Sequence, residues 1–201
     1  MRPAEAAAVV VVGSLNMDIV VPVPRHPRPG ETIIGSDSFR TPGGKGANQA
    51  VAAARLGQRV AMVGRVGGDD AGAKLVAALN DYGVDYAHVS TTPEAPTGIA
   101  LITVDPDGEN IIVVSSGANA RVEPADVEAA AGALERAAVV ALQLEIPIAA
   151  VVAAATVTDT DGNTIDTSEF FPDRGKADEG AEDSDDADDE AGDSADEHSE
   201  E

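Results

Sequence analysis

Residues 42–67 read PGGKGANQAVAAARLGQRVAMVGRVG. Three closely spaced glycines open the stretch, an alanine-rich run follows, Gly57 punctuates it, and a largely apolar run closes it. The spacing predicts a helix over residues 46–56 ended by Gly57, because glycine adopts the left-handed conformation that closes helices without steric cost. Residues 59–66 then read as a buried strand of the kind found in parallel sheets.

The same alternation extends in both directions. Upstream, residues 7–13 form a β-branched apolar run ending at glycine, the first core strand. Downstream, residues 70–82 are helical, with acidic residues at the start and Gly83 just beyond the end. Residues 97–104 and 110–116 flank Asp105-Pro-Asp-Gly108, whose Asp-Gly step signals a hairpin. A helix over 124–136 has proline near its first turn; a strand over 138–144 and a helix starting near Pro147 come next. Two further segments, 18–23 and 31–39, are separated by a proline-rich connection and read as exposed or edge strands. Strand and helix in alternation imply an α/β fold, a parallel sheet with flanking helices, beside which the short strands form a small β flap. No internal repeat is visible at solenoid periods.

The chain has 201 residues and a net charge of −23, unevenly spread. Residues 1–155 hold 11 basic and 17 acidic side chains, whereas 156–201 hold 2 and 19. From residue 176 the composition collapses to Asp, Glu, Ala, Ser and Gly, which cannot bury enough apolar area to offset chain entropy. The expected division is therefore an α/β domain over 1–155 and an acidic, disordered tail over 156–201. Such a charge repels nucleic acid and anionic membranes, and no apolar run is long enough to span a bilayer. With no secretory signal pattern, the expected location is cytoplasmic. There are no cysteines, and His26, His88 and His198 stand too far apart for a metal-ligand pattern.

The glycine-rich turn at 42–46 is the first candidate for chemistry. Glycines admit backbone N–H groups close to a ligand, a helix start offers unpaired donors, and Lys45 and Asn48 add side-chain donors at the same mouth. The spacing alone equally fits a plain glycine-rich turn. It is not a Walker loop, which needs Ser or Thr after Gly-Lys where this chain has Gly46. Nor does the first strand lead into a dinucleotide fingerprint, since Gly13 stands alone before Ser14. Asn16 and Asp18 lie just past the first strand, where open α/β sheets bind ligands, although an Asn-x-Asp also makes hydrogen-bonded turns. Glu145 comes after the strand at 138–144, either facing the same cleft or capping the next helix.

Taken together these stretches resemble the ribokinases of the PfkB group of carbohydrate kinases. The resemblance rests on GGKGANQA at 43–50 followed by Gly57 and Gly67, and on Gly13-Ser-Leu-Asn16-Met-Asp18. Pro29-Gly-Glu-Thr32, Gly108-Glu-Asn110, Gly117-Ala-Asn119 and Gln143-Leu-Glu145 agree in order and spacing, so it covers about residues 8–155. It implies a central parallel sheet with a β lid built from 18–39 and 97–116, which in ribokinases also clasps a second subunit into a dimer. It implies that Asn16, Asp18, Gly44, Lys45, Gly46, Ala47, Asn48 and Glu145 bind a sugar, ribose in the family, through its hydroxyls. The family reaction is ATP-dependent phosphorylation of ribose at the 5-hydroxyl, with ATP and Mg as cofactors.

Beyond residue 155 the chain departs from the family. There the family has further sheet strands, an Asn-x-x-Glu motif tied to magnesium and phosphate, an adenine pocket and a Gly-Ala-Gly-Asp segment carrying the catalytic base. No counterpart is found here, so the expectation is a truncated homologue that keeps the sugar residues and lacks catalysis. Two alternatives stand beside it: a non-catalytic sugar-binding or regulatory dimerisation module, and a non-functional product of a disrupted reading frame.

Overall fold

A computed structural model describes residues 7–157, and the expected acidic tail lies almost wholly outside the described residues. In chain order the elements are β1 (Val9–Val12), β2 (Asn16–Pro22), β3 (Phe39–Gly43), α1 (Lys45–Arg55), β4 (Val60–Gly67), α2 (Asp70–Asp81), β5 (Asp85–Thr92), β6 (Gly98–Val104), β7 (Asn110–Ser115), a 3-10 turn (Gly117–Arg121), α3 (Pro124–Ala129), α4 (Ala131–Leu134), β8 (Val139–Leu142) and α5 (Ile148–Ala155).

β1 is four consecutive valines, and a strand with β-branched side chains on both sides belongs inside a sheet covered on both faces. It lies there, with β4 and β8 paired parallel on either side and β5 parallel on the far edge of β4, in the order β5-β4-β1-β8. Register sets Val11 beside Met62, and these two point into the core that also holds Ala50 of α1 and Leu75 and Leu79 of α2. The neighbouring pairs Val10 with Ala61 and Val12 with Val63 face the other way, where α3 and α5 pack on each other and on the sheet. Burying each Val, Leu or Met side chain fully contributes about 1.5–3 kcal/mol, so the middle of this sheet carries more stability than any single polar contact at its rim.

Capping fixes where α2 begins. Asp69 accepts from Gly72 N at 2.9 Å at the start of α2, and its other oxygen accepts from Thr97 N at 2.9 Å. The Thr97 hydroxyl donates to the first oxygen, Oδ1, at 2.6 Å, so one carboxylate joins α2 to the start of β6. Desolvation raises the Asp69 pKa, but the Thr97 and backbone hydrogen bonds outweigh it and hold the group below its usual value. α1 ends as expected, with Gly57 in the left-handed region at φ 85.

The second sheet is the flap, in the order β3-β2-β6-β7. β2 pairs antiparallel with β3 and parallel with β6, and β6 pairs antiparallel with β7 across the Asp105–Gly108 turn. It leaves Phe39, Leu101, Ile111 and Val113 exposed. Among the described residues no helix is long and apolar enough to cross a membrane.

The structure corrects the sequence reading in four places. The strand expected over 31–39 does not form; 31–38 is a loop pinned by Arg25 to Glu31 and by Ser36 N to Pro22 O at 2.8 Å, and the strand runs from Phe39 to Gly43 instead. Gly35, Ser36, Asp37 and Ser38 are poor strand formers, which explains the displacement. β5 is absent from the sequence reading, because an edge strand of composition Asp-Tyr-Ala-His-Val-Ser-Thr-Thr has no apolar run to mark it. The helix over 124–136 breaks into α3 and α4 at Ala130, next to Gly132, where helix propensity falls by about 1 kcal/mol relative to Ala. The strand expected over 18–23 starts two residues earlier, so Asn16 and Asp18 are the first and third residues of β2, on one face of the flap, and the alternative turn does not form.

Candidate functional site

The site starts from the connection between β1 and β2. Ser14 there is fully buried, and the first turn of α1 sits directly on it, with Ala47 N donating to Ser14 O at 3.0 Å. Only glycine permits this approach. A Cβ on Gly44 would lie 2.6 Å from Asn16 N and 2.9 Å from Ser14 O, and one on Gly46 would lie 2.6 Å from Ser14 N. Gly44 also has φ 93, a conformation that side chains with a Cβ rarely adopt.

That packing brings three distant stretches to one place. Lys45, at the first position of α1, forms an ion pair with Glu145, just past β8. The other Glu145 oxygen accepts from Ser14 Oγ at 2.8 Å, and Ser14 N donates to Gln143 Oε1 at 3.1 Å. Glu145 therefore faces the cleft rather than capping α5, which has no side-chain cap. Its carboxyl is raised by desolvation, but the hydrogen bonds from Lys45 and Ser14 and the Lys45 charge win and leave it below the usual glutamate value.

Asp18 behaves in the opposite sense. Burial first, and the Glu145 charge second, raise its pKa, with Lys45 offsetting only part of this. Among the described residues its carboxylate has no hydrogen-bond partner, although it lies against Gly43, where a Cβ would strike it.

Of the eight residues singled out from sequence, Asn16, Asp18, Gly44, Lys45, Asn48 and Glu145 line one cleft of about 180 Å³. Gly46 and Ala47 do not line it; they are buried behind, where their backbone packs on Ser14. The opposite wall is apolar and comes from the flap: Ala100 and Ile102 of β6, Ile112 and Val114 of β7. A space of this size has room for one small polar molecule. Its floor offers ammonium and amide donors beside two carboxylate acceptors, and its wall offers a surface for C–H groups. That combination fits a compact polyol.

A larger hollow of about 640 Å³ opens at the far end of the flap, lined by Val20, Ile34, Phe39 and Val104 among others. Among the described residues Asp105 is its only charged lining residue, so these do not supply the converging polar groups that recognition of a polyol needs. Among the described residues no group of three His, Asp or Glu side chains could hold a metal ion.

Sequence reasoning gives no role to Ser14, Gln143 or Asn119, which are all buried and support the floor from behind. Each does fall inside a stretch that carries the family resemblance, Gly13-Ser-Leu-Asn16, Gly117-Ala-Asn119 and Gln143-Leu-Glu145, but that resemblance assigns none of the three a role. The flap wall is also missed, because Ala100, Ile102, Ile112 and Val114 look like ordinary alternating strand residues.

Residues 6–177 match the family described as pfkB family carbohydrate kinase. The chain is 40% identical over 152 residues to the ribokinase of Haemophilus influenzae, covering 76% of this chain and 50% of that protein. It is 44% identical over 158 residues to the ribokinase of Mus musculus, covering 79% and 49%. The structure of Arabidopsis thaliana ribokinase complexed with ribose and ATP superposes with a TM-score of 0.63 at 38% identity, over 75% of this chain and 50% of that one. The chain thus spans about half the length of the curated relatives it matches. With the family match covering residues 6–177 and these identities beside it, the chain belongs to the pfkB family of carbohydrate kinases.

Proposed function

We propose that this chain is the sugar-binding part of a ribokinase-type kinase and that it takes ribose in the cleft between the α1 start and the flap. The observation that carries this is the convergence of Asp18, Lys45 and Glu145 on one small space from β2, α1 and the end of β8. In this reading Asp18 and Asn48 hold hydroxyls, Asn16 adds an amide, and Gly44 lets the sugar approach the backbone. Lys45 and Glu145 orient each other at the mouth, while Gly46 and Ala47 act indirectly by seating α1 on Ser14. Discrimination comes from desolvation: each polar group that a wrong sugar leaves unpaired costs about 1–3 kcal/mol.

The family reaction needs ATP and Mg. The described residues do not fit a magnesium site, and the sequence contains neither an Asn-x-x-Glu nor a Gly-Ala-Gly-Asp segment. We therefore assign no step of phosphoryl transfer to residues of this chain, and infer that alone it binds ribose without phosphorylating it. The exposed apolar side chains of β6 and β7 support a homodimer formed through the flap, as expected from the resemblance.

The test is titration calorimetry of the full chain with ribose, alongside an assay for ADP release in the presence of ATP, Mg and ribose. Binding that Asp18→Ala abolishes, without ADP release, is the expected result. Absence of binding would overturn the site, and ribose-dependent ADP release would overturn the division of labour.

A further inference from the structure

We propose that Asn119 is a positioning residue for this cleft: it fixes the side-chain amide of Asn16 so that Asn16 presents a donor, and no acceptor, to a ligand hydroxyl. The inference rests on the reading of the cleft as a sugar site. Asn119 lies in the 3-10 turn after β7, is 1% exposed, and reaches across to the β1–β2 connection. Its Oδ1 accepts from Leu15 N at 2.9 Å, and its Nδ2 donates to Leu15 O at 3.0 Å and to Asn16 Oδ1 at 2.7 Å.

The polarity of this chain of bonds is forced. A main-chain N–H only donates and a main-chain carbonyl only accepts, so the two bonds to Leu15 allow Asn119 one orientation. Rotating its amide by half a turn would set donor against donor and acceptor against acceptor. With Asn119 fixed, its second N–H faces Asn16 and requires an oxygen there. Asn16 is 3% exposed and lines the cleft, so its Nδ2 is the end left to face a ligand.

Two further observations agree. Asn16 stands opposite Gly98 in the β2–β6 register, and a Cβ on Gly98 would overlap both Asn16 Oδ1 and Asn119 Nδ2; the amide pair occupies the space that glycine leaves. Asp18, two residues along the same face of β2, is an acceptor when ionised. A donor at Asn16 next to an acceptor at Asp18 matches two adjacent hydroxyls, one accepting and one donating. The recognition element is therefore polar in a defined sense, and Asn119 sets that sense without touching the ligand.

Two measurements test this. The first uses the ligand-free chain: in NMR the Asn119 side-chain amide protons should exchange with solvent at least about tenfold more slowly than those of exposed Asn48, and the inference fails if the two exchange alike. The second is a ribose-binding cycle over Asn16→Ala, Asn119→Ala and the double variant. Asn119→Ala should weaken ribose by about ten- to hundredfold in the native background and have little further effect once Asn16 is Ala. Equal losses in both backgrounds would mean that Asn119 only stabilises the fold, and would overturn the proposal. If Asn119→Ala does not fold, Asn16→Asp serves: it keeps an oxygen for Asn119 and removes the donor, so it should fold normally and lose ribose affinity, whereas retained affinity overturns the inference. If the native chain binds no ribose, the sugar reading falls, and the exchange measurement still decides the amide pair.

Discussion

Replacing Gly44 by alanine tests whether glycine is needed there for close approach or only for its backbone angle. The residue has φ 93, and a Cβ would meet Asn16 N at 2.6 Å and Leu15 Cα and Ser14 O at 2.9 Å, all main-chain atoms that cannot rotate away. The backbone angle costs an L-residue about 1–2 kcal/mol, and forcing a methyl into packed backbone adds about 1–3 kcal/mol. Gly57 supplies the comparison. It has φ 85 with nothing within 4 Å of its hypothetical Cβ, so Gly57→Ala should show the first cost alone. Urea unfolding of the two variants should therefore differ by about 1–3 kcal/mol. In a domain of this size each kcal/mol lowers Tm by about 2–4 °C, a separation that a melting curve resolves. Calorimetry should show ribose affinity lost in Gly44→Ala and kept in Gly57→Ala. Equal destabilisation of both variants, or intact affinity in Gly44→Ala, would refute the claim that α1 must sit against the β1–β2 connection.

Asp18→Asn should raise Tm at pH 7 while abolishing ribose affinity. Its folded pKa is raised, so its favourable contribution exists only below the usual carboxylate value and is lost as pH rises through the folded one; the gain should vanish near pH 3, and a lower Tm at pH 7 would contradict this. Glu145 has the opposite sign. Its pKa is held below 4.5, so the stability advantage of the native chain over Glu145→Gln should be full above pH 4.5 and shrink as pH falls through the folded value, measured by urea unfolding across pH 3–7. Arg65→Ala should cost about 3 kcal/mol, because Asp126, only 6% exposed, loses its 2.7 Å partner and keeps just the Glu123 N–H at 2.9 Å. A loss under 1 kcal/mol in urea would show that Asp126 is hydrated instead.

The body of the fold is legible in the sequence where one physical signal dominates. Four valines at β1, the glycine-closed α1 and the Asp-Gly turn between β6 and β7 leave few alternatives. β5 and β3 are not legible, since an edge strand needs no apolar run and the start of β3 depends on where the preceding loop is pinned. For the candidate site, the charged and amide groups can be named because unusual residues follow apolar strands. The roles of Ser14, Gln143 and Asn119 cannot, because a buried polar side chain is defined by partners more than a hundred positions away. Gly46 and Ala47 show the converse: correct neighbours of the cleft, but part of its support rather than its lining.

β2 runs unbroken from Asn16 to Pro22, so one rod carries the cleft-lining Asn16 and Asp18 near its root and the flap at its tip. At about 3.3 Å per residue Asp18 stands roughly 7 Å from the root and Pro22 roughly 20 Å, so a tilt of about 10° shifts them by about 1 Å and 3.5 Å. The smaller movement is already enough to spoil a hydrogen bond, while the larger one opens the mouth. Were a sugar held at Asp18 as proposed, any tilt of β2 would move that carboxylate and the flap tip together, so grip and gate would share a single lever.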